Sequence, residues 1–158
     1  MNKKLRKEKV IKEETNEKES SKSINIDLNK IFNDNNIKLN HVELGRFWNY
    51  YIYIKGYLSN HKKFMKSIIR KIMSKYDDDC KIEPSHFEFK FNINFIGDED
   101  NKNLKVEKEN ENKENDNYKL IITIILYQTT DGYYLRFVRL KGDKKEFFDR
   151  FNEISDMV

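Results

Sequence analysis

The chain has 158 residues, 37% charged and 37% hydrophobic, with 31 basic against 27 acidic side chains and a net charge of +4. At roughly 100–200 residues per domain, that length holds one domain at most, and so small a net charge does not demand nucleic acid as a partner. Cys80 is the only cysteine, which excludes an internal disulfide and a cysteine-based zinc cluster and fits a reducing compartment.

Residues 1–23 are almost entirely Lys, Glu, Asn and Ser. They hold too little apolar surface to offset the entropy of ordering, so they read as a disordered tail. The basic cluster Lys3, Lys4, Arg6, Lys7 and Lys9 reads first as solvated tail, with a nuclear or membrane-surface signal as the other reading. No signal-peptide pattern opens the chain, and the most apolar run, 120–126, falls far short of the ~20 residues that span a bilayer. The expectation is a soluble or peripheral protein, cytoplasmic, with a membrane-surface or nuclear location also open. Over 24–33, Ile24, Leu28, Ile31 and Phe32 share a helical spacing among poor helix formers, leaving a short docking helix or a linker.

The stretch 47–57, FWNYYIYIKGY, is aromatic and β-branched and predicts a strand with Trp48, Tyr50, Ile52 and Ile54 on one side. Residues 59–76 predict a helix capped by Ser59 or Asn60. Its buried stripe is Phe64, Met65, Ile68, Ile69, Ile72, Met73 and Tyr76. The other side carries Lys63, Lys66, Arg70, Lys71 and Lys75 with no acid among them, and Asp77 to Asp79 begin a turn. Within 81–96, Phe87, Phe89, Phe91, Ile93 and Phe95 alternate with polar residues, a strand with one dry face that starts after Pro84. Residues 97–117 are a low-complexity insert in which Leu104 and Val106 are candidates for a short strand.

Residues 118–127 are apolar on both faces, as a central strand requires, and Thr129-Thr130-Asp131-Gly132 turns the chain into a strand over 133–140. Gly142 stops that strand. Asp143 with Glu146 makes a capping box for a helix buried through Phe147, Phe148, Phe151 and Ile154. The predicted fold is α+β, an antiparallel sheet of four to five strands with two helices packed on one face. The tail and linker cover 1–46 and the domain covers 47–158.

Phosphate-binding glycine motifs and the kinase signatures are absent, and His41, His61 and His86 lie apart without metal-ligand spacing. No nucleophile–base set is visible. The expectation is a non-catalytic protein without cofactor or metal. What remains is surface. Lys63, Lys66, Arg70 and Lys71, with Arg136, Arg139 and Lys141, form a candidate anion- or lipid-binding patch. Tyr133, Tyr134 and Phe137 raise a weaker RNA-stacking reading, which core packing largely explains.

Leu135, Arg136, Phe137, Arg139, Leu140, Gly142 and Asp143, followed by Phe147 or Phe148, resemble the closing pattern of the kinase-associated-1 domain, with Val138 where a basic residue is usual. Ser59, Phe64, Met65, Ile68, Ile69 and Arg70 resemble the first helix of that domain in the catalytic subunit of AMP-activated protein kinase, and Trp48 and Gly56 lie in the matching region. The resemblance covers about 47–158. It implies a non-catalytic C-terminal regulatory domain of an AMP-activated-type Ser/Thr protein kinase.

In that kinase the tail domain binds a scaffolding β-type subunit, which makes Trp48, Tyr50, Tyr133 and Tyr134 the subunit-interface candidates. In the related microtubule-affinity-regulating kinases it binds acidic phospholipids and restrains its own kinase domain. The leading expectation is therefore subunit assembly, with an autoinhibitory, anionic-phospholipid-binding tail domain as the alternative.

Overall fold

Alternation of branched and aromatic residues builds a sheet whose one side is dry, and the two amphipathic helices close that side. The computed structural model describes residues 5–10, 27–33, 36–43, 48–97 and 117–158. In chain order its elements are β1 (Leu5–Val10), β2 (Asn40–His41), β3 (Tyr50–Lys55), α1 (His61–Tyr76), β4 (Cys80–Pro84), β5 (Lys90–Ile96), β6 (Tyr118–Gln128), β7 (Gly132–Lys141) and α2 (Lys144–Met157). The sheet runs β1-β3-β7-β6-β5-β4, with β2 beside the end of β6. Strands β3, β7, β6, β5 and β4 pair antiparallel, while β1 lies parallel to β3 and β2 parallel to β6. The fold is α+β, with an antiparallel body of five strands.

Period two assigns each strand residue to a face. Ile52, Ile54, Leu135, Phe137, Leu120, Ile122, Ile124, Leu126, Phe91, Ile93, Phe95 and Ile82 point to the helices, and all are buried. From α1 they meet Met65, Ile68, Ile69, Ile72, Met73 and Tyr76, and from α2 Phe147, Phe151 and Ile154. Rings interlock at the seams: Phe137 lies 4.7 Å from Phe151, and Tyr76 lies 5.1 Å from Phe95, both edge-on. Strand β6 is central, as its two-sided apolarity requires. Ile121 and Thr123 are buried on the helix-free face as well.

Asn60 caps α1, its side-chain oxygen accepting from the Lys63 N–H at 2.9 Å. The helix ends where Asp77 turns to φ 49° and Asp77–Asp79 forms a 3-10 turn. At α2, Asp143 accepts from the Glu146 N–H at 3.0 Å. The Glu146 carboxylate binds Lys119 at 3.2 Å and Arg150 at 3.6 Å. Phe148, expected inside, is 39% exposed, because one helical step of ~100° past Phe147 already leaves the buried stripe.

Several expectations need correction. The strand predicted over 47–57 is only Tyr50–Lys55, so Trp48 escapes its period. Tyr50 packs on Phe147 and Phe151 under α2, whereas Trp48 sits on the opposite face against Tyr51, Tyr127 and Tyr134. The region 81–96 is two strands, β4 and β5, and Pro84 ends the first of them. Between the two, the Ser85 hydroxyl accepts from the N–H groups of Phe87 and Glu88 at 3.1 and 3.2 Å. That local turn breaks the alternation, so Phe87 leaves the core. The fifth strand of the body therefore arises from this split. The candidate strand at Leu104 and Val106 lies outside the described residues.

Residues before 47 also belong to the packed unit. Asp27 caps a 3-10 turn, Leu28–Lys30, and Leu28, Ile31 and Phe32 join the core, Phe32 lying 5.6 Å from the Phe89 ring. Leu5–Val10, read as tail, is a strand. Composition weighs only the side chains, while the exposed edge of β3 offers a row of backbone donors and acceptors to any extended segment. Ile24 lies outside the described residues.

Candidate anion-docking surface

Helix α1 reads HKKFMKSIIRKIMSKY: six cations and no carboxylate. Burial of the apolar stripe turns the remaining side outward. Lys63, Lys66 and Arg70 are half-buried along it, and Lys71 and Lys75 are exposed. At 1.5 Å rise per residue, Lys63 and Arg70 stand about 10 Å apart along the axis. Lys62 and Lys63 occupy the first turn, where the helix dipole disfavours cations by roughly 0.3–1 kcal/mol each, and no acid stands there to offset them. Stability alone would place Asp or Glu in that turn.

Toward the other end, Arg70, Lys71, Ser74, Lys75 and Met157 line a shallow, open depression between the two helices. Lys71 Nζ donates to the Met157 carbonyl at 3.3 Å, which holds that ammonium at the rim. The surface is therefore a basic strip with one shallow recess, suited to spread anionic charge.

The structure brings four of the seven anion-site candidates together and separates the rest. Lys63, Lys66, Arg70 and Lys71 share α1. Arg136 pairs across the strands with Tyr51 and Ile125 on the helix-free face, its guanidinium 4.8 Å from the Trp48 ring centroid. A register shift beside Ile121 sets Arg139 opposite Ile122 and Lys141 opposite Ile121, on different faces. Arg139 is turned to its own chain, donating to the Gly142 carbonyl at 2.7 Å. A whole sheet separates Arg136 from α1, because neighbours along β7 alternate faces and the helices cover only one.

The subunit-interface candidates divide in the same way. Tyr133 is 1% exposed, its hydroxyl 2.9 Å from His61 Nε2 and accepting from the Leu58 N–H at 3.3 Å, so it is core. Tyr50 lies under α2. Only Trp48 and Tyr134 come together, their rings 5.6 Å apart on the helix-free face, joined by Tyr51 and Tyr53 against Tyr134. Phe137 is also core, which leaves Tyr134 alone of the three rings behind the RNA reading.

The basic face holds two contributors not singled out in the sequence, Lys62 and Ser74. Tyr57 and Phe87, within the strands predicted over 47–57 and 81–96, are exposed rings; Gly56 before one and Ser85-His86 before the other are the sequence signals for the turns that carry them. Among the described residues no group of three or more His, Cys, Asp or Glu side chains is arranged to hold a metal, and no helix is long and apolar enough to cross a membrane. No protein family, no curated protein and no solved structure was found to match this chain.

Proposed function

We propose that this chain is a non-catalytic regulatory domain of the kinase-associated-1 kind, from an AMP-activated-type Ser/Thr protein kinase, and that it works by docking its α1 face on an anionic phospholipid surface. The observation that carries the docking mode is the six-cation, acid-free α1, with two of its cations in the turn where they cost stability. The placement of the two resemblance-bearing segments supports the family reading. Ile68 and Ile69 of α1 and Phe147 of α2 enter one core over the same sheet. Each basic residue near an anionic bilayer contributes about 1 kcal/mol, so four or five suffice for salt-sensitive adsorption. Restraint of a kinase domain by the same face is the regulatory consequence, since bilayer and enzyme would compete for it.

Sedimentation with phosphatidylserine-containing vesicles tests the proposal. Binding is expected to weaken with salt and to be lost in the Lys66→Glu, Arg70→Glu double variant. Unchanged binding by that variant would remove α1 from the site.

Subunit assembly is the second reading, favoured by the half-buried Trp48 and Tyr134 on the helix-free face. Co-purification with a scaffolding β-type subunit, lost on Tyr134→Ala with the fold intact, would establish it. Monomeric behaviour beside such a subunit would count against it.

A further inference from the structure

At one end of the domain two large rings stand in solvent: Tyr57, just past β3, is 78% exposed, and Phe87, between β4 and β5, is 75% exposed. Both flank one contact. The ring of His61, first residue of α1, lies 6.0 Å from that of Phe89. Tyr57 is four residues before His61 and Phe87 two before Phe89, so the chain holds each within about 14 Å of that contact. Neither ring hangs on slack backbone. Gly56, at φ 108°, donates its N–H to the Asp131 carbonyl at 3.1 Å. The Phe87 N–H is held by Ser85, and its carbonyl accepts from the Lys38 N–H at 2.7 Å. Two ordered turns thus present aromatic side chains outward, where a polar residue would serve folding as well.

Lysines stand close to both rings. Lys62 and Lys63 sit in the adjoining first turn of α1, with Lys55 at the end of β3 and Lys38 beside Phe87. Among the described residues the acids toward this end include Asp131, Glu43, Glu83 and Glu88; Glu88 lies 3.8 Å from Lys90 and Glu43 lies 3.8 Å from His41. Rings flanked by lysines match the interface of an anionic bilayer, where aromatic side chains settle among the headgroups and ammonium groups meet phosphate.

We propose that Tyr57 and Phe87 are membrane-insertion anchors, entering the headgroup region of an anionic bilayer while Lys62 and Lys63 contact its phosphates. The inference rests on the anionic-surface reading of α1 and adds the orientation: the domain meets the bilayer with the first turn of α1 leading.

The full chain is tested on phosphatidylcholine vesicles with and without phosphatidylserine, as the native sequence and as Tyr57→Ser, Phe87→Ser and Phe148→Ser. Each anchor substitution is expected to weaken binding about tenfold, and the Phe148 control, on α2, to leave it unchanged. A second measurement uses Phe87→Trp in a Trp48→Phe background, where vesicles are expected to shift the emission to the blue. Salt-sensitive binding that survives both Ser substitutions, or an unshifted emission, overturns the anchors and leaves the α1 reading standing. Absence of any vesicle binding by the native chain overturns both.

Discussion

Tyr76, the last residue of α1, donates its hydroxyl to Glu153 of α2 at 2.5 Å. Arg150 completes the joint, 3.2 Å from Glu153 and with its guanidinium 5.1 Å from the Tyr76 ring centroid. The two helices touch the same sheet, but this joint ties one directly to the other. Tyr76→Phe keeps the ring and removes the bond. It is expected to cost about 1 kcal/mol, below the usual range for a bond to a charged group because Glu153 is partly exposed. Chemical denaturation of both proteins checks it.

The same joint sets an acid response. Burial works to raise the Glu153 carboxyl, but the hydrogen bonds from Tyr76 and Arg150 and the Arg150 charge outweigh it and hold the group below its ordinary value. A carboxyl depressed in the folded state contributes stability above its unfolded value and loses it as pH falls through the folded one. Stability is therefore expected to fall on acidification below the ordinary carboxylate range. The fall should be shallower in Glu153→Gln, measured as melting temperature against pH.

Gly132 opens β7 opposite Lys55 of β3. A Cβ there would collide with the Ile54 carbonyl oxygen, which is backbone and cannot swing aside. Gly132→Ala is expected to destabilise the domain by about 2–3 kcal/mol, as overpacking does, and to loosen the β3–β7 pairing. Hydrogen exchange at Ile52 and Ile54 is the local readout, and unchanged protection there would refute the collision.

Cys80, buried at the start of β4, is expected to be chemically quiet. Burial first, then the Asp79 carboxylate, pushes its thiol up to about 12. At pH 8 the thiolate fraction is about one in ten thousand. Modification by a thiol reagent should therefore proceed through unfolding, at a rate that rises with denaturant. A rate in native buffer that does not respond to low denaturant would contradict this.

How far these features could be read in advance follows from the range of the forces behind them. The α1 stripe, the central character of β6 and the Asp143 cap are local patterns of period 3.6 or two, and the structure bears them out. The break at Ser85 to Phe87 was hidden because a hydroxyl bonding two N–H groups leaves the alternation of types untouched. Strand β1 was hidden because its partners are backbone groups of a distant edge. The candidate basic surface was legible where one helix holds it, in Lys63 to Lys71. It was not where it required knowing that β7 turns Arg136 to the far face.

Trp48 tests the far face itself. Its ring lies 4.7 Å from that of Tyr127 and makes edge contacts with Tyr51 and Tyr134, with Arg136 stacked on it. Val42 and Glu43 are tied to the end of β6, Thr129 donating its hydroxyl proton to the Glu43 carbonyl at 3.0 Å and Val42 its N–H to the Gln128 carbonyl at 2.8 Å. The tryptophan thus anchors the chain as it enters β3. Trp48→Ala is expected to cost about 2 kcal/mol, less than a fully buried ring because one side meets solvent. Arg136→Gln should cost about 0.5–1 kcal/mol through the lost cation–π contact. As the only tryptophan in the chain, Trp48 reports its own surroundings. If a subunit covers this face, its emission should shift on complex formation, while vesicles that engage α1 should leave it unmoved. A vesicle-induced shift at Trp48 would place the bilayer on the wrong side of the sheet for the docking proposed.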